Sequence, residues 1–195
     1  MKNKNPYEYV KELSVPEGTD AQKKLRIAFV ELLLDNNPAD ISVQKLCKKA
    51  DVGRTTFYSH YQNTDDLLNE IENEFIQGLV RHKNGILMSS DMHRIDLDFF
   101  VYSYEYTVEN REIVKALLIR HSSIRFHEKW KRVIKCYYIE KFCIEDISER
   151  NEYFLEIASV IIIRTYVYYL EKDFESIPKE SIETVLDAIH DMLER

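Results

Sequence analysis

Four glycines and four prolines in 195 residues leave this chain very few places to turn. Average usage would supply roughly three times as many. The scarcity rules out collagen-like and low-complexity chains and argues against a many-stranded sandwich or barrel, whose hairpins consume both residues. Long helices joined by short loops remain. With 45% apolar and 31% charged residues the composition is ordinary for a globular protein. An all-α fold is expected, as one domain or two small ones sharing a helix.

Other classes fall away quickly. The longest nearly apolar run, Ile157 to Ile163, stops at Arg164, far short of the ~18 residues of a membrane span. No apolar stretch follows the charged start Met1-Lys2-Asn3-Lys4-Asn5-Pro6, so no signal peptide and no membrane partner are expected. Cys47, Cys136 and Cys143 form no CxxC pair and leave one thiol over under any pairing. A reduced, cytoplasmic protein follows. Cys136 and Cys143 lie two helical turns apart, ~10 Å along the axis and too far to share a metal. No metal and no cofactor are expected.

Residues 1–19, with Pro6, Pro16 and Gly18, read as an N-terminal arm with at most a short helical turn at Tyr7–Leu13. From Asp20 the pattern is helical. Ala21, Leu25, Ala28, Phe29 and Leu32 mark a first amphipathic helix that ends near Asp35-Asn36-Asn37-Pro38. Ser42 stands at an N-cap, and Val43, Leu46, Cys47 and Ala50 make the apolar stripe of a helix barely two turns long. Asp51-Val52-Gly53 breaks it, and a second short helix runs from about Arg54 to His60. Thr64-Asp65-Asp66 caps a longer helix bearing Leu68, Ile71, Phe75 and Leu79. Further helices are expected at about 92–108, 110–119, 123–143, 149–172 and 178–194, giving about nine in all.

Two helices too short to be stable alone, joined by a tight turn, need a partner surface to justify them. A helix-turn-helix supplies one, with its second helix laid in the major groove of DNA. Leu46, Cys47, Ala50, Val52, Phe57 and Tyr61 then form a small core, and Arg54, Thr55, Tyr58, Ser59 and His60 point outward. Arginine reads guanine bidentately, threonine meets bases or a thymine methyl, and hydroxyls donate to phosphates. Residues 42–61 hold Lys45, Lys48, Lys49 and Arg54 against Asp51 alone, inside a chain of net charge −7. The acid lies elsewhere, with 13 Asp and Glu against 5 Lys and Arg over residues 144–195.

The run from Ser42 to Tyr61, S-V-Q-K-L-C-K-K-A-D-V-G-R-T-T-F-Y-S-H-Y, resembles the helix-turn-helix of the TetR family of transcriptional regulators. The likeness extends from Ala21 through Leu68. It implies a three-helix DNA-binding domain over residues 20–78, motif 42–61, and a helical effector-binding and dimerisation domain over 79–195. Position by position, Ser42 resembles an N-cap hydroxyl that also meets a phosphate, and Arg54 and Thr55 the residues that vary with operator sequence. Thr56, Tyr58 and His60 resemble backbone contacts, and Lys45, Gly53, Ser59 and Thr64 complete the expected DNA-facing set. Three positions depart from the family. Asp51 replaces the turn glycine, which aspartate tolerates better than most residues. Gly53 replaces the usual capping serine, and Thr64 replaces a lysine and so removes a cationic phosphate contact.

The resemblance implies a homodimer on a palindromic operator, repressing transcription until a small-molecule effector releases it. Partner-facing candidates come from the last two helices, the first of which is apolar nearly all round: Ile163, Tyr166, Tyr169, Ile182, Val185, Leu186, Ile189 and Leu193. The middle helices are rich in aromatic residues, read either as core or as a pocket lining. Tyr102 and Tyr106 with the cations His121, Arg125 and Arg164 are the candidate effector residues, the cations having structural ion pairing as their other reading. The basic stretch 120–141 reads as a solvated face. Two rival functions stand beside this one: a helical interaction module that has lost DNA binding, and an enzyme. The chain carries no nucleophile-elbow, Walker, zincin, EF-hand or dinucleotide fingerprint and no E-x-x-H pair, so no catalytic residue is expected.

Overall fold

The structure, a computed structural model, describes residues 5–8, 18–86, 92–144 and 147–194. Every regular element among them is helical: α1 (Asp20–Asp35), α2 (Val43–Ala50), α3 (Arg54–Tyr58), α4 (Thr64–Ile86), α5 (Met92–Glu109), α6 (Arg111–Val114), α7 (Ile124–Lys141), α8 (Glu149–Glu171) and α9 (Lys179–Glu194). Capping chemistry sets the boundaries. The Thr19 hydroxyl accepts from the Gln22 amide while the Gln22 side chain accepts from the Thr19 amide, a reciprocal box that opens α1. Ser42, Ser123 and Ser148 cap α2, α7 and α8 through their hydroxyl oxygens. At α4 the cap is Asn63 and not the Thr64 group read from the sequence. The Asn63 carbonyl oxygen accepts from the amides of Asp65 and Asp66 at 2.8 and 3.0 Å.

The first three helices enclose a small core of Leu25, Phe29, Leu46, Cys47, Ala50, Phe57 and Tyr61, all buried. Val52 is only half-buried. Asp51 closes α2 in the left-handed region at φ 52°, where the turn needs it and where aspartate is tolerated. α4 then runs unbroken from this head into the second half of the chain, ending at Ile86.

In that second half the aromatic rings pack on one another. Phe75 of α4 touches Tyr106, Phe126 and Trp130 with centroids 5.0–5.2 Å apart, Trp130 meets Tyr166 at 6.0 Å, and Phe100 meets Tyr166 edge-on at 4.8 Å. Tyr166 donates its hydroxyl to the Phe100 carbonyl at 3.0 Å and Tyr104 to that of Phe174 at 2.7 Å, so these buried phenols keep a partner. Burial pushes the Tyr166 and Tyr138 phenols far above the ordinary tyrosine range. Gly78 is the hole into which Tyr106 fits: a Cβ there would overlap the tyrosine ring and hydroxyl.

Two features have no trace in the periodicity. The end of α6 widens into a π segment at Lys115–Arg120, and the turn after it holds Ser122 at φ 47°. The arm residues Asn5–Glu8 dock on α7 and α8, where the Tyr7 hydroxyl donates to Glu152 at 2.6 Å beneath Lys135. Residues 9–13, the rest of the expected helical turn, lie outside the described residues. α8 is long and apolar enough to cross a membrane by length and composition, contrary to the run-length reading. Its Leu155, Ala158, Ile162, Ile163, Tyr166, Val167 and Leu170 are instead packed inside the protein.

Candidate nucleic-acid interface

α3 is five residues long and stands on a single buried side chain, Phe57. Phe57 anchors it against Tyr61 at 5.5 Å. Tyr61 is held in turn, donating its hydroxyl to Glu70 at 2.8 Å while its hydroxyl oxygen accepts from the Gln22 side chain, and Arg26 grips Glu70 at 2.6 Å. Burial and the Glu70 bond push the Tyr61 phenol up to about 12. A polar brace from α1 to α4 thus holds α3 from behind, so its front can remain free.

That front carries the expected residues. Ser42, Lys45, Gly53, Arg54, Thr55, Thr56, Tyr58, Ser59 and His60 are all exposed, and Thr64 is half-buried. Tyr58 is 52% exposed with its ring edge on Phe57, which presents the hydroxyl outward. Arg54 makes no ion pair among the described residues. The Ser42 oxygen accepts from the Lys45 amide at 3.2 Å, a bond that uses a lone pair and leaves the hydroxyl proton for an acceptor such as a phosphate oxygen. Two expected contacts are partly engaged elsewhere. Lys45 donates its ammonium to the Asn36 side chain, and the Ser59 hydroxyl donates to the Thr56 carbonyl at 2.7 Å. Lys49 is also taken, by Glu31 at 2.6 Å, while Lys48 stays exposed.

Behind the head lies a junction that sequence reasoning missed. Glu72 of α4 is fully buried, and its carboxylate accepts from Arg125 Nε at 2.8 Å and Lys129 Nζ at 2.9 Å, both on α7. Lys129 also donates to Asn69 and Asn73, and Arg125 reaches Asp65 at 2.9 Å. The Arg125 hydrogen bond holds the Asp65 carboxyl below its ordinary range. Burial takes Lys129 below the usual lysine value against the pull of Glu72. At a second point His121 places a ring nitrogen on the Leu33 carbonyl near the end of α1.

The five expected effector residues do not converge. Tyr102 is 47% exposed, Tyr106 sits against Gly78, His121 and Arg125 are the junction contacts just described, and Arg164 lies at the surface beside Glu171. Of the two readings open to the aromatic residues of the middle helices, core packing is the one seen for Tyr106, Trp130 and Tyr166.

The partner-facing candidates also move. Ile163, Tyr166, Ile182, Leu186 and Ile189 are at most 3% exposed inside a single chain. Their stripe is consumed by α8–α9 packing and contact with α5. Tyr169 and Val185 remain half-buried, and the Leu193 side chain lies outside those described. The stretch 120–141 is no solvated face either: Lys131 and Lys135 are buried on Glu156 and Glu152.

By sequence, no family model and no curated protein matches the chain. Solved structures do. A TetR-family transcriptional regulator from Syntrophomonas wolfei superposes with a TM-score of 0.68 at 15% identity, over 90% of this chain and 95% of the other. A TetR transcriptional regulator from Streptococcus agalactiae gives 0.64 at 21%, over 90% and 94%. NalD of Pseudomonas aeruginosa, described as the secondary repressor of a multidrug efflux pump, gives 0.59 at 19%, over 88% and 96%. The described helices, in their order and packing, have the fold of the TetR family of transcriptional regulators.

Proposed function

We propose that the chain is a sequence-specific DNA-binding regulator that acts in the cytoplasm as a homodimer on a palindromic operator. In this reading residues 20–78 are the DNA-binding domain and 79–195 the effector and dimerisation domain. The protein is a repressor of the TetR type, released by a small molecule, with no catalytic role. The observation that carries this is the free front of α3: donors of several kinds, exposed and held rigidly from behind. Arg54 and Thr55 read base edges, while Ser42, Thr56, Tyr58 and His60 hold phosphates.

Two half-sites one turn apart, ~34–36 Å, require two heads in one particle. The face available for a partner is what the core leaves over. Ile161 and Tyr168 on α8 and Val185, Ala188 and Met192 on α9 are exposed or half-buried and lie beside the filled stripe. Burying such a face on a second copy gives an isologous interface.

The test begins with selection of bound fragments from a random DNA pool by the purified protein, which should return an inverted repeat. Arg54→Ala should then lower affinity by about 1–3 kcal/mol and relax preference at one position per half-site. Unchanged affinity and preference in that variant, or recovery of no enriched sequence, would overturn the reading.

A further inference from the structure

Outside the aromatic interior, a cleft of about 500 Å³ opens between α8, the π segment and the first turns of α7. That volume lies within the range of small-molecule sites. Leu118, Ile124, Val160 and Val167 give it an apolar wall. Ile124 at 78% and Val160 at 38% exposure hold apolar surface against water that an occupant would cover. On α8 between Val160 and Val167, one turn from each, stands Arg164, 62% exposed, whose ion pair with Glu171 at 3.2 Å is a surface contact and so exchanges at little cost. The acid on this wall, Glu128, is already engaged by Lys131 at 2.6 Å. With Glu128 offset by Lys131 and the His127 imidazole as its other titratable neighbour, Arg164 is the permanent cation that the cleft offers to a ligand.

We propose that this cleft binds an amphipathic monoanion, its apolar body against the aliphatic wall and its carboxylate or similar head on Arg164. The proposal rests on the regulator reading above and names the class of effector and its route to the head. The route follows from what the wall is made of. The stretch 118–129 that lines the cleft also carries His121, seated on the Leu33 carbonyl, and Ser123, Arg125 and Lys129, seated on Glu72 and Asp65. An occupant that moves this wall away from α8 moves both attachments of the DNA-reading head together. Ser122, kept in the left-handed region at φ 47°, marks the turn as conformationally costly, of the kind that relaxes when its surroundings change. By linkage, such a ligand must prefer the free protein over the DNA-bound one.

The experiment uses octanoate and 1-octanol, which share a body and differ in the head. Calorimetric titration of the full-length protein without DNA should show saturable octanoate binding at least about tenfold tighter than 1-octanol. Arg164→Gln, a surface change, should abolish the difference, and Val160→Trp should fill the cleft and weaken both. Amide hydrogen exchange should show octanoate loosening the first half of α4, residues 65–73, in the wild-type protein. Equal affinities for the two probes, an Arg164→Gln variant that still prefers the acid, or unaltered exchange in α4 would each overturn the proposal. None of these readouts involves DNA, so failure of the regulator reading shows itself separately, as absence of an enriched operator.

Discussion

On α3 and the turn that follows it, Arg54, Thr55, Tyr58 and His60 stand in solvent. On α7, Arg125, Lys129, Lys131 and Lys135 each rest on a carboxylate from another helix. The two regions hold similar residue types and use them in opposite ways. What separates them is the supply of acids. α4 and α8 bring Glu72, Glu152 and Glu156 to α7, whereas Glu70 and Asp65 of α4 are taken by Arg26 and Arg125, and Arg54 has no ion pair among the described residues. A cation becomes available to a nucleic acid where the fold withholds its counter-charge. The same contrast holds for tyrosine: Tyr58 keeps its hydroxyl in water, while Tyr104 and Tyr166 spend theirs on backbone carbonyls.

The strongest way to break the contrast is in the packed half. Leu186 is 1% exposed, and Leu186→Glu should cost about 4 kcal/mol or more and unfold the chain, seen as loss of the cooperative circular-dichroism melt. Ala188→Glu, two residues on and exposed, should leave that melt in place and convert dimer to monomer in light scattering. A dimer that survives it would move the partner face elsewhere.

Glu72→Gln removes the acid shared by Arg125 and Lys129. Loss of one partner from a buried pair costs ~3–5 kcal/mol. Because the Arg125 side chain is 38% exposed, about 2 kcal/mol is the expected loss in urea denaturation at neutral pH. On the other side of the comparison, Tyr58→Phe removes one hydroxyl from a free surface. Protein stability should stay within about 0.5 kcal/mol, and DNA affinity should fall by about 1 kcal/mol for every sequence alike. A loss confined to one operator sequence would make Tyr58 a base reader.

The smallest effect belongs to Asp65. Its carboxyl sits below the ordinary value of 3.8, first because Arg125 hydrogen-bonds it. A depressed acid contributes its stability in full above the ordinary value and loses it as pH falls through the lowered one. Asp65→Asn should therefore cost under about 1 kcal/mol at neutral pH and progressively less in acid below 3.8. An equal cost in both ranges would mean that packing, not charge, is what Asp65 supplies.

Much of the head was legible in the sequence because its determinants are local. A capping Ser42, an apolar stripe at Leu46, Cys47 and Ala50, and a break at Asp51 specify two short helices without help from the rest of the chain. The long helices were legible for the same reason. The junction was not, because nothing near Glu72 in sequence says that Arg125 and Lys129, more than fifty residues away, will meet it. That five of the partner-facing candidates would be buried within one chain was hidden for a related reason. A stripe such as Ile182, Leu186 and Ile189 shows that a helix has a buried side, not whether its neighbour is α8 of the same chain or of another. Asn63 escaped notice because Thr64, beside it, is itself a capping residue by type.

The π segment at Lys115–Arg120 closes its rings from residue i to i+5, one residue more in each hydrogen-bonded ring than the α pattern. It therefore stores surplus chain length inside a helix. Loss of a single residue there would return the stretch to α geometry without shortening any other element, and an added residue elsewhere in a helix could settle in the same form. Among descendants of a common ancestor, this is where a one-residue difference in length would leave His121 and Ser123 on the same partners. Such a site absorbs a change in length while the contacts of His121 with Leu33 and of Ser123 with Glu72 persist.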